Sequence, residues 1–165
     1  MKNRSINMLI VGLLLIAALS VTLMVFIEDT HDKFEERITV NANGKTEAVL
    51  EVKDLKLTPS ATSEYSINLV CAASGMFDVY LDYEEEKDGG MKNFVNVLIK
   101  FDDEIAYSGT LTELLDGNKI VEFVSELKEK EPVIVNIKYE MPYTVGNEAQ
   151  GTYADFKINL KIVKK

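Results

Sequence analysis

The sequence predicts an all-β protein: an antiparallel two-sheet β-sandwich of Ig-like build with one or two short helices, preceded by a single N-terminal transmembrane helix. Three observations predict it. Apolar and polar side chains alternate with period two through most of residues 35–165, and turn-forming residues interrupt that alternation at short intervals. Ahead of it, Met8 to Ile27 is an unbroken apolar stretch of twenty residues without a charge.

At about 1.5 Å per residue that stretch reaches roughly 30 Å, the thickness of a bilayer's hydrocarbon core. Thirteen of the twenty are Leu, Ile, Val or Phe, enough to insert despite Gly12, Ser20 and Thr22. A cleaved secretory segment usually has an apolar core of only about 7 to 15 residues ending at a small-x-small site. Here the best such site, Ala17-Ala18-Leu19-Ser20, is followed by seven more mostly apolar residues, so the segment reads as an uncleaved signal anchor. Cleavage would instead release a secreted domain. Lys2 and Arg4 precede the span, which orients residues 1–7 to the cytoplasm and the C-terminal part to the outside. The expected order is a cytoplasmic N-terminus (1–7), a span (8–27), an acidic stalk (28–34) and an extracellular domain (35–165), in a single-pass protein of the cell membrane.

Net charge is −9; without Lys2 and Arg4 the remainder carries −11. Such a surface repels phosphate backbones and anionic headgroups, which argues against nucleic-acid binding and peripheral membrane docking. The outer part suits one domain. Its single cysteine, Cys71, excludes an internal disulfide, so packing must stabilise it.

Element by element, Phe34 to Val40 and Ala48 to Val52 are the weaker strands, separated by the hairpin signal Asn43-Gly44. Tyr65, Ile67, Leu69 and Cys71 share one face of the next strand, which makes Cys71 a small core residue. Phe77, Val79, Leu81 and Tyr83 alternate with Asp78, Tyr80 and Asp82. Val95, Val97, Ile99 and Phe101 follow. The firmest patterns are Val133, Val135, Ile137, Tyr139 and Met141, and then Ala154, Phe156, Ile158, Leu160 and Ile162. Breaks at Thr58-Pro59-Ser60, Ser74-Gly75, Asp88-Gly89-Gly90, Asp116-Gly117-Asn118 and Gly146-Asn147 imply antiparallel connections. Thr110 to Leu115 carries a capping-box pattern, Thr110 with Glu113; Ile120, Phe123, Val124 and Leu127 recur at helical spacing and predict a second short helix.

No HExxH, G-x-S-x-G, P-loop or Gly-rich dinucleotide fingerprint occurs, and the chain's one histidine cannot build a triad alongside a zinc site. A non-enzymatic domain without cofactor or metal is expected. His31, among Glu28, Asp29 and Asp32, reads as part of a solvated stalk rather than a metal site. Glu84-Glu85-Glu86-Lys87-Asp88-Gly89-Gly90 lacks the spaced carboxylates of a calcium loop and reads as a solvated hairpin tip. Cys71 has no basic neighbour in sequence to activate it.

Two short patterns resemble the camelysin and TasA-type family of bacterial exported β-sandwich proteins. Gly146-Asn147-Glu148-Ala149-Gln150-Gly151, leading into the last strand, is similar to that family's G-N-x-x-Q-G turn. Tyr107-Ser108-Gly109-Thr110-Leu111-Thr112-Glu113-Leu114 is similar to its Y-x-G-T-L-x-x-L strand-to-helix junction. Leu55 to Ser60 resembles an L-x-P-G segment, with Pro59 displaced and no Gly after it.

The resemblance implies a jelly-roll-like sandwich that assembles into extracellular matrix fibres by strand donation. Gly146, Asn147, Gln150 and Gly151 are then a structural turn, the glycines supplying unusual backbone angles, and Tyr107, Gly109, Thr110, Leu111 and Leu114 the junction. Phe34 to Val52 is the expected exchangeable element, with a protein partner or a second copy as its acceptor. An anchored N-terminus makes the chain a subunit or base of such a fibre. The alternative is a ligand-binding or accessory ectodomain of an envelope complex. Some relatives have been classed as metallopeptidases; no zinc motif carries that activity over to this chain.

Overall fold

The alternating runs form strands, and the strands stack as two facing sheets, in a computed structural model that describes residues 32–42, 44–116 and 119–165. The expected span, His31, the stalk before residue 32, Asn43, and Gly117 with Asn118 lie outside the described residues. Among the described residues no helix is long and apolar enough to cross a membrane.

The strands are β1 (Asp32–Val40), β2 (Lys45–Leu55), β3 (Thr62–Cys71), β4 (Gly75–Asp88), β5 (Asn96–Phe101), β6 (Glu104–Thr110), β7 (Val121–Leu127), β8 (Pro132–Glu140) and β9 (Ala154–Lys164). Among the described residues one α-helix, α1 (Leu111–Leu115), follows β6, and 3₁₀ turns occupy Met91–Phe94 and Asn147–Ala149. One sheet has the order β1-β3-β8-β5-β6, the other β2-β9-β4-β7. Every connection except β5 to β6 therefore crosses between sheets. Strands β2 to β9 alone wind as a jelly roll, two four-stranded sheets of interleaved Greek keys, and β1 is added outside β3.

Alternation fills the space between the sheets. On β9, Ala154, Phe156, Ile158, Leu160 and Ile162 are at most 1% exposed, and on β4 Phe77, Val79 and Leu81 are fully buried. Rings tie the layers together: Tyr139 of β8 meets Phe156 of β9 edge-on at 5.6 Å, and Phe156 stacks with Tyr83 of β4 at 5.8 Å. The Tyr83 and Tyr139 hydroxyls lie 3.4 Å apart within this apolar layer, each giving the other a polar neighbour.

Four expectations are corrected. The segment expected as a second helix is strand β7, Val121 to Leu127, with Ile120 just ahead of it: Val121 and Leu127 are buried, Phe123 stacks on Phe101 at 4.2 Å, and Val124 of the helical pattern faces out at 42% exposure. Pairing with β4 overrides the coincidental helical spacing. The strands β1 and β2 do not pair as the expected hairpin, because they belong to different sheets. The pairing of β1 with β3 is parallel, with Phe34 opposite Tyr65 and Ile38 opposite Leu69, as is the single bridge of Cys71 to Glu129, whereas the other named strands pair antiparallel. Glu84 to Asp88 is the end of β4 paired to β9 rather than a hairpin tip, and the chain then crosses to the other sheet.

Candidate functional site

The junction residues form one local device. Tyr107, on the inward face of β6, donates its hydroxyl to Thr110 O (3.0 Å) and Glu113 Oε2 (2.8 Å). Thr110 caps α1: its Oγ1 accepts from Glu113 N at 3.3 Å, and the Glu113 carboxylate accepts from Thr110 N at 3.5 Å. Gly109 leaves the space this needs, since a Cβ there would stand 2.4 Å from the Tyr107 hydroxyl and 2.5 Å from Glu113 Oε2. Leu111 and Leu114 drop from the helix into the core. Burial, and then the Glu113 carboxylate, raise the Tyr107 phenol above its usual range. The same Tyr107 bond, ahead of the Thr110 backbone, holds Glu113 below the ordinary carboxylate value. These groups bond one another, an arrangement that folds a corner.

The turn at residues 146–151 is also closed on itself. Gln150 N donates to Asn147 O at 3.0 Å and Gln150 Nε2 to Asn147 Oδ1 at 3.1 Å. Thr152 Oγ1 donates to Ala149 O at 2.7 Å. Gly151 has φ +75°, a left-handed conformation. Gly146 does not: its φ of −92° is open to other residues, which corrects the expectation for that position. Residues distant in sequence meet here, because Leu57, Thr58 and Pro59 face Gly146, Gln150 and Thr152 across a cleft of about 320 Å³. Ser60 N donates to Met141 O (2.9 Å) and Gly89 N to Tyr153 O (2.8 Å), binding the 58–61, 89–95 and 141–153 connections together.

Sequence reasoning missed one polar cluster. Lys92 Nζ lies 2.6 Å from Glu85 Oε2, 2.9 Å from Asp116 Oδ1 and 3.8 Å from Asp88 Oδ2, joining the end of β4, the 3₁₀ turn and the end of α1. Bonds to Glu85 and then Asp116 raise its ammonium above the usual lysine value. Only the four-residue spacing from Asp88 was visible in sequence; the β4 bulge and the crossover bring in the other two.

Two further features concern the strand edges. Among the β1 side chains from Phe34 onward only Ile38 and Val40 are buried, while Phe34 stacks on Tyr65 at 4.7 Å and is half exposed. Between the β1 and β2 rims a cleft of about 210 Å³ opens into the sandwich. Cys71 is 1% exposed at the end of β3, in the core. No group of three or more His, Cys, Asp or Glu able to hold a metal is found among the described residues.

No family model and no curated protein matches the chain. Solved structures align to it only loosely. The pre-peptidase C-terminal domain of collagenase from Bacillus anthracis is 12% identical, with a TM-score of 0.38, over 80% of this chain and 99% of that one. The CUB1-EGF-CUB2 domains of rat MASP-1 are 10% identical, with a TM-score of 0.39, over 77% of this chain and 42% of that one. A mutant of PliG, a periplasmic lysozyme inhibitor from Escherichia coli, is 10% identical, with a TM-score of 0.33, over 79% of this chain and 98% of that one. At these scores the matches carry no argument about fold or activity; the sandwich rests on the strand pairing itself.

Proposed function

We propose that the chain is a non-enzymatic structural protein of the cell surface, anchored by residues 8–27 with its sandwich outside, acting as a TasA- or camelysin-like subunit or base of an extracellular fibre built by strand exchange. The observation that carries this reading is the position of β1. It lies outside a jelly roll that β2 to β9 complete without it, pairs in parallel with one neighbour, and buries only its last turn-proximal residues, Ile38 and Val40. Parallel pairing is slightly weaker per residue, and the edge of β3 that β1 covers is a template for any strand of similar pattern. The exchangeable element narrows accordingly from Phe34–Val52 to β1, since β2 pairs along β9 and buries Leu50, Val52 and Leu55.

Register supplies the test. Thr39 and Val70 are paired across β1 and β3, so Thr39→Cys with Val70→Cys forms a disulfide wherever the two strands lie side by side. In the membrane-bound chain, strand exchange gives covalent dimers and longer ladders on oxidation. A product bridged only within single chains sinks the proposal. External protease acting on cells without an outer barrier should remove the domain; a mature form beginning near Val21 would replace the anchor with a released subunit. The cleft between the sheets favours the second reading, a ligand-binding ectodomain.

A further inference from the structure

Strand β1 enters the sandwich at the end where two uncharged connections meet. Asp32 lies opposite Ser63, and the adjoining Thr62 lies opposite Glu140, so the start of β1 and the 56–61 and 141–153 connections share one end. Leu57 to Ser63 and Met141 to Asn147 carry no charge, in a chain of which 27% is charged and whose net charge is −9. Ser60 N donates to Met141 O (2.9 Å) and Met141 N to Ala61 O (3.1 Å), which fixes the two runs side by side. Charges resume at Lys56, Glu64, Glu140 and Glu148. On this neutral ground Tyr143, next to Pro142, is 81% exposed, more than any other large apolar side chain among the described residues.

A tyrosine has an apolar body and a polar tip, which suits it to the boundary between hydrocarbon and water. We propose that this end of the sandwich rests on the lipid surface, with the Tyr143 ring in the headgroup layer. The proposal rests on the anchor reading above. Residues 28–31 are all that separates the expected span from β1, and a chain extends at most about 3.6 Å per residue, so β1 begins within about 20 Å of the bilayer. Having no charges of their own to desolvate, the two runs meet neutral headgroups without the cost an ionised surface would incur. Strand β3 runs from this end for 10 residues, roughly 30 Å, so the 72–74 connection stands clear in water.

The chain has no tryptophan, so one can be placed as the sole probe. Tyr143→Trp and, as control, Ala72→Trp at the exposed far end are made in the full chain. Each is incorporated in phosphatidylcholine nanodiscs whose acyl chains are either plain or brominated just below the headgroups. Tyr143→Trp should lose at least half of its emission in the brominated lipid and shift to the blue, and Ala72→Trp should do neither. Equal emission of Tyr143→Trp in the two lipids, or equal quenching of the two variants, overturns the contact and leaves the anchor in place. A chain that a sodium carbonate wash strips from vesicles of the same lipid overturns the anchor, and the contact with it.

Discussion

Gly109 owes its identity to the Tyr107 hydroxyl and the Glu113 carboxylate, both inside 3.0 Å of where a Cβ would be. The phenol is the end of a rigid ring and cannot yield without breaking its bonds to Thr110 O and Glu113. Gly109→Ala should therefore lose about 1–3 kcal/mol, the usual range for forcing atoms into a filled site, seen as a lower denaturation midpoint. Gly151 is glycine for a different reason. Nothing lies within 4 Å of its added Cβ, so only its φ of +75° opposes substitution. Gly151→Val should cost about 1 kcal/mol or more and Gly151→Asn clearly less, since asparagine tolerates the left-handed region. Equal midpoints for the two variants would remove the conformational explanation. The need for glycine at Gly109 could not be read from sequence, because it depends on where a ring two residues earlier is aimed.

Strands with one buried face were legible because period two survives any pairing partner. The inward sets of β4, β8 and β9 follow directly from their alternation. Partners were not legible. Asn43-Gly44 signals a tight turn, but the chain uses that region to change sheets, and nothing local distinguishes the two outcomes. In β7 the sequence Ile120 to Leu127 satisfies both periods, and the deciding interaction, Phe123 on Phe101, is made with a strand some twenty residues earlier. Phe123→Ala should cost about 1–3 kcal/mol, less than a fully buried Phe→Ala because the ring is only partly covered. The change should leave α1 intact, with Thr110→Ala removing about 1 kcal/mol on its own account by uncapping the helix. If β1 is the weakly held strand, its amides should exchange with solvent well before those of β3, β8 and β9. Protection of β1 equal to that of β9 would contradict its detachment from the jelly roll.

Taken as a whole the sandwich keeps its polar core groups neutral, and this fixes how its stability varies with pH. Burial, first of all, raises the phenols of Tyr83 and Tyr139, and it likewise raises Tyr107. Lys92 is raised by its bonds to Glu85 and Asp116. For a group whose folded value is raised, folded and unfolded chains bind equal protons below the unfolded value, so the contribution is complete there. As pH climbs past about 10, where unfolded tyrosine and lysine titrate, the unfolded chain sheds protons that the folded chain keeps, and stability falls. On the acid side the lowered group at the corner, Glu113, is exposed, and its contribution, present above its unfolded value and lost as pH falls through the folded one, is screened by solvent. The denaturant midpoint should hence be nearly level from about pH 6 to 9 and drop steeply above 10. The buried phenols should ionise only as the sandwich opens, giving an absorbance rise near 295 nm that coincides with loss of the strand signal in circular dichroism. Tyr139→Phe should leave Tyr83 without its hydroxyl neighbour while removing one buried phenol from the alkaline step, making that step shallower. Tyrosine ionisation completed near pH 10 with the sandwich still folded would show that water reaches the layer between the sheets.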